Sequence, residues 1–169
     1  SIQDLSSNGS QPMHINNGRY IISYNGEIYN HYTLRSELDK LHKYNWKSKC
    51  DTETLLLCFE KWGIKKTLVK IDGMFSIILY DKYINKIYLI RDRYGEKPLY
   101  FGNVNEYLVF SSEIKVFKSF PNFNNSLSIK SITNYLKYNF IPAPLTIFKN
   151  IFKINQGSYI EFDLNEKIN

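Results

Sequence analysis

Apolar positions along the chain fall into blocks with two different periods. In "GRYIISY" (Gly18 to Tyr24) β-branched and aromatic residues run together, which predicts a strand. "HYTLRSELDKLHK" then places Leu34, Leu38 and Leu41 at i, i+4 and i+7, the single stripe of an amphipathic helix. "NWKSK" predicts a short extended piece. "DTETLLLCFEKW" predicts a second helix, with Asp51 as N-cap, Glu53 in an acidic first turn and Gly63 as the stop. The middle of the chain changes to a strand pattern. "MFSIILYD" and "KIYLIRD", joined by "KYIN", predict a hairpin, and the unbroken apolar run of the first predicts a strand covered on both faces. "PLYFG" and "YLVFSS" predict a second pair across "NVNE". "SEIKVFKSF" predicts a short helical piece burying Phe117 and Phe120. "SIKSITNYLKYN" predicts another helix with Ile129, Ile132, Tyr135 and Leu136 inward. "IPAPLTIF" carries two prolines and predicts an extended connection, and "GSYIEFD" a last strand. Strands and helices come in separate blocks rather than in strict alternation, which predicts an α+β layered fold with mostly antiparallel sheet.

Composition narrows the function classes. At 169 residues and 43% hydrophobic content, the chain holds one domain with a substantial core. Its longest apolar run, "MFSIILY", is far too short for a membrane span, and its polar opening lacks a secretory h-region, so a cytoplasmic protein is expected. The net charge of +6 suggests a nucleic-acid partner, but the lysines are scattered singly. An RNA-binding domain would need aromatics exposed beside those cations. The apolar context of most Tyr and Phe favours core packing instead, so neither nucleic acid nor membrane is expected as a partner. Cys50 and Cys58 make no disulfide framework, and His14, His31 and His42 fall into no ligand spacing with them, so no metal site is expected.

Three stretches carry candidate chemistry. In "YNGEIYN" (Tyr24 to Asn30), the Asn25-Gly26 pair suits a type I′ turn between strands. It also suits an oxyanion hole, where a side-chain amide and the next backbone N–H converge on one oxygen, although the dipeptide alone favours the turn. Asp51 is sufficient as a helix cap, and it is also suited to hold an ammonium. "RDRYGEKPLY" (Arg91 to Tyr100) suits an ion-paired strand end followed by a turn at Gly95.

Taken in order, "NGEIYN", "DTETLL", "GMFSIILYD", "LIRDRYGEKPLY", "FSSEIKVF" and "PAPLTIFKNIFKINQGSYI" resemble the glutaminase domain of glutamine-hydrolysing asparagine synthetases. These are class II glutamine amidotransferases with an N-terminal-nucleophile hydrolase fold. The resemblance runs from Ser1 to the last strand. It implies a four-layer αββα sandwich of two mostly antiparallel sheets, lacking its opening segment. It implies that Asn25 and Gly26 form the oxyanion hole, that Glu27 lies in the glutamine-contacting segment, and that Asp51 holds the glutamine α-ammonium. Ser1, Ile2 and Gln3, followed by Asp4, match a family segment whose backbone lines the glutamine pocket.

The family nucleophile is an N-terminal cysteine, and the pocket arginine for the α-carboxylate lies just ahead of Ser1; neither is in this chain. Ser1 matches a pocket-lining position rather than the nucleophile. Cys50 stands beside Asp51, and a carboxylate neighbour disfavours the thiolate. The expectation is therefore a fragment, inactive as it stands and carrying an unpaired sheet edge. Residues 1–163 would be a partial amidotransferase domain and 164–169 the start of a linker toward an ATP-dependent synthetase domain. No cofactor is expected in the fragment itself; ATP and Mg²⁺ belong to that further domain, where ammonia would meet an activated aspartate. The full-length protein would be compatible with a homo-oligomer. The rival expectations are an amidotransferase-like module that binds glutamine or a partner without turnover, and an amidotransferase with another ammonia acceptor.

Overall fold

The computed structural model describes residues 9–15, 18–124 and 126–166, and its largest element is a five-stranded antiparallel sheet. The strands are β1 (Met13–His14), β2 (Tyr20–Ile28), β3 (Gly73–Asp81), β4 (Lys86–Arg91) and β8 (Tyr159–Asp163), hydrogen-bonded in that order. A smaller sheet has β5 (Tyr100–Val104) between β6 (Tyr107–Ser111) and β7 (Ile151–Lys153). The two expected hairpins form in register, Asp81 opposite Lys86 and Val104 opposite Tyr107.

Alternation along each strand divides the apolar residues between layers. Ile22, Tyr24 and Ile28 of β2, with Phe75, Ile77 and Leu79 of β3, face two helices and form the main core. Those helices are α1 (His31–Leu41) and α2 (Asp51–Lys70). The opposite face supplies Ile78, Ile87, Leu89 and Phe162, which meet Leu99, Phe101, Phe110 and Ile154 of the second sheet's layer. Phe117, Val104, Val109, Phe148 and Ile151 form a third core on the far side of that sheet. A 3-10 helix at Ile114–Ser119 helps cover it. The layers are those expected, helices outside two stacked antiparallel sheets, and β3 is covered on both faces as its apolar run predicts.

Four local readings change. Leu34 and Leu38 are buried on α1, but Leu41 at its last turn is exposed. "NWKSK" forms no strand. Gly63 does interrupt α2, at φ 72, but helix resumes beyond it to Lys70. The largest difference is α3 (Ile129–Tyr138): only Ser131 is buried, whereas Ile129, Tyr135 and Leu136, expected inward, are exposed. Helical periodicity identifies an apolar stripe correctly and says nothing about whether a partner covers it.

Asn25-Gly26 is not a turn. Both lie inside β2, Asn25 opposite Ser76 and Gly26 opposite Phe75 on β3. Glycine is required there by close approach: a Cβ on Gly26 would strike the Met74 carbonyl and sit 2.7 Å from Phe75 Cα. Gly73, opposite Ile28, is under the same restriction from the Glu27 carbonyl.

Leu38 and Leu136 test this layering by thermal unfolding. Leu38→Ala should cost about 2–5 kcal/mol by opening a cavity in the main core. Leu136→Ala, on the exposed stripe, should stay within about 0.5 kcal/mol of the parent.

Candidate functional site

The "NGEIYN" stretch leads directly from β2 into α1, and its last residue fastens that corner. The Asn30 side-chain amide donates to the Lys70 carbonyl at 2.9 Å, and its oxygen accepts the Asp72 N–H at 3.0 Å. The Tyr29 N–H donates to the Asp72 carbonyl at 2.8 Å. The end of β2 is thereby tied to the chain entering β3. Sequence reading missed this use of Asn30.

Asp51 is the first residue of α2, and Cys50 occupies the N-cap position. The Asp51 carboxylate makes no cap bond. Its Oδ2 instead accepts from the Tyr24 hydroxyl at 2.7 Å and from the Ile28 N–H at 2.9 Å. Asp51 is buried, with 3% exposure, and these two bonds offset part of the cost of burying its polar head. The cap reading fails because the helix begins one residue early, with Asp51 already its first residue and Cys50 at the cap position.

Arg35 of α1 sets the position of that helix start. Its guanidinium donates to Thr54 Oγ1 at 2.8 Å, the Ser48 carbonyl at 3.0 Å and the Cys50 carbonyl at 2.8 Å, and it lies 4.2 Å from the Trp46 ring centroid. Glu53 completes the loop by accepting from the Lys47 N–H, the Ser48 N–H and the Ser48 hydroxyl. Its place in the first turn is as expected, but its carboxylate braces the preceding loop rather than only the helix dipole.

In an antiparallel strand, alternate N–H groups point to the same edge. On β2 the Tyr24 N–H donates to Gln11 and the Ile28 N–H to Asp51. The Gly26 N–H therefore points to that same edge, between them. Asn25 and Glu27 are exposed, and strand alternation puts their side chains on the face opposite Tyr24. Asn25 lines a cavity of about 220 Å³ between the sheets, with Ser23, Ser76, Leu99, Phe110 and Ser111. The structure thus brings Asp51 and the Gly26 N–H to one strand edge, while the Asn25 side chain lies on the opposite face, toward the second sheet. Glu27 and Asp51 both act electrostatically on His31, whose burial holds its imidazole below the ordinary value. Ser1, Ile2, Gln3 and Asp4 lie outside the described residues.

The remaining candidates are structural. Asp92 is fully buried and accepts N–H groups from Phe75, Tyr94, Glu96 and Lys97. Burial alone would raise its carboxyl pKa, but those four donors hold it below the ordinary value. Arg91 donates to the carbonyls of Gly95, Lys97 and Ile154, and Arg93 to those of Leu68, Val69 and Ile71 at the end of α2. The expected ion pairing within this run is replaced by backbone capture. Cys50 and Cys58 are both fully buried, and burial pushes the Cys58 thiol up to about 12. Among the described residues no three His, Cys, Asp or Glu side chains could hold a metal ion. Nor is any helix there long and apolar enough to cross a membrane.

Comparison with known proteins adds the family context. A family profile described as "Glutamine amidotransferase domain" matches residues 1–168. Asparagine synthetase 2 (glutamine-hydrolysing) of Bacillus subtilis is 36% identical over 170 residues, covering 97% of this chain and 22% of that protein. A putative glutamine-hydrolysing asparagine synthetase of Methanocaldococcus jannaschii is 32% identical over 185 residues, covering 99% of this chain and 35% of the relative. The chain thus spans only about a fifth to a third of these curated relatives. Among solved structures, the glutamine phosphoribosylpyrophosphate amidotransferase of Bacillus subtilis aligns with a TM-score of 0.59 at 22% identity. That alignment covers 67% of this chain and 26% of the other, and supports the fold.

Two substitutions probe the framework of the site. Arg35→Lys should lose the forked contacts and cost about 2–3 kcal/mol in chemical unfolding, because an ammonium cannot reproduce them. Asp92 has a depressed folded-state value, so its contribution to stability is complete above the unfolded value of 3.8 and is lost as pH falls through the folded one. Asp92→Asn should lower stability at neutral pH and flatten the acid limb of the stability profile below that value.

Proposed function

The chain belongs to the glutamine amidotransferase domain family, and on that premise we propose that it binds L-glutamine along the edge of β2, as the glutaminase half of a glutamine-dependent asparagine synthetase. The observation that carries this reading is the placement of the Asp51 carboxylate at Ile28 while the Gly26 N–H points to the same edge. Two residues along a strand span about 7 Å, a spacing that an extended glutamine bridges. Its α-ammonium would pair with Asp51, and its side-chain carbonyl would face the Gly26 N–H, with the Asn25 amide as second donor. Such donors stabilise the oxyanion formed when a nucleophile attacks the amide. Glu27 and the segment Ser1, Ile2 and Gln3 would line the same substrate.

The wider role follows from the relatives, whose names are those of glutamine-hydrolysing asparagine synthetases and whose chains are several times longer. In the complete protein, glutamine yields glutamate and ammonia. The ammonia then amidates an aspartate activated by ATP and Mg²⁺ in a synthetase domain. Residues 1–163 form the amidotransferase unit and 164–169 lead toward that domain. A cytoplasmic setting suits both reactions.

Calorimetric titration of the 169-residue chain with L-glutamine should give saturable heat. Asp51→Ala should weaken binding by about 100-fold or more, since it removes the carboxylate assigned to the ammonium. A parent chain that gives no heat with glutamine would sink the proposal.

A further inference from the structure

The Tyr24 hydroxyl has no part in the amidotransferase reading, yet it makes the shortest contact to Asp51. We propose that Tyr24 is a positioning residue that fixes the Asp51 carboxylate so that its second oxygen meets the ammonium of the substrate; this rests on the function proposed above. Both donors, the Tyr24 hydroxyl and the Ile28 N–H, converge on Oδ2, at 2.7 and 2.9 Å. Among the described residues Oδ2 takes both donors and Oδ1 takes none, an arrangement suited to a single incoming cation at Oδ1.

The strand explains why this residue can do it. Tyr24, Gly26 and Ile28 share one face of β2, and the Tyr24 hydroxyl and the Ile28 N–H both reach the Asp51 carboxylate from that one strand. The Tyr24 ring is packed in the main core at 8% exposure, so its hydroxyl is delivered from a fixed support. Burial, and then the Asp51 charge, raise the Tyr24 pKa far above the physiological range. The hydroxyl is therefore a donor at physiological pH. A phenylalanine would fill the same core space and leave Asp51 anchored by a single backbone N–H.

The test is a cycle between one protein atom and one ligand group. L-glutamine and its analogue lacking the α-amino group are titrated into the parent chain and into Tyr24→Phe. The parent should prefer glutamine strongly. Tyr24→Phe should bind glutamine roughly 10-fold or more weakly and the desamino analogue with little change, so the preference shrinks. Equal loss for both ligands, or no loss for either, overturns the positioning role while leaving glutamine binding intact. Absence of glutamine binding in the parent overturns both proposals. If Tyr24→Phe unfolds, 3,5-difluorotyrosine at position 24 keeps the ring and the hydroxyl but makes it a stronger donor. Glutamine affinity should then be at or above that of the parent, and a fall specific to glutamine would contradict the assignment.

Discussion

An ionised carboxylate placed inside a protein must be surrounded by donors, and that requirement at Asp51 organises the site. The carboxylate sits where α2 begins, against the end of β2, so its donors come from that strand. Tyr24 and Ile28 supply them directly. Arg35 acts one step back, gripping the carbonyls of Ser48 and Cys50 so that the helix starts at the right place. Glu53 folds the loop before it by taking the N–H groups of Lys47 and Ser48. The main core beneath these residues holds strand and helix at fixed separation.

Much of this architecture is legible in the sequence. The strand blocks, both hairpins and the first two helices follow from period and turn chemistry, because most of their apolar residues meet partners nearby. The exposed stripe on α3 is where that reasoning runs out. Ile129 and Leu136 have helical spacing, but burial depends on a neighbour that sequence period does not specify. Leu41 shows the same limit on a smaller scale, since a helix end can outrun the surface it packs on.

The site divides similarly. Asn25, Gly26 and Asp51 can be singled out by chemistry and by family resemblance, whereas their geometry cannot. "NG" between apolar runs suggests a turn, yet here it lies within a paired strand. The acidic residue at a helix start suggests a cap, yet its oxygen is spent on β2. Tyr24 is invisible as a site residue in the sequence, since a tyrosine in an apolar strand reads as core. It is core, and its one polar atom carries the further role. Asn30 and Arg35 give no local signal because their partners, mostly backbone groups, are distant in the chain.

Gly26 and Gly73, on neighbouring strands and two register positions apart, limit how this region can vary. A side chain on Gly26 would meet backbone of Met74 and Phe75, and one on Gly73 would meet backbone of Glu27 and Ile28. Each obstacle is main chain rather than the other glycine's missing side chain. Enlarging one therefore cannot be offset by any change of residue at the other, and the two positions act as independent vetoes instead of a covarying pair. Sequence drift can repack the core around this crossing, but it has no compensating route through the crossing itself.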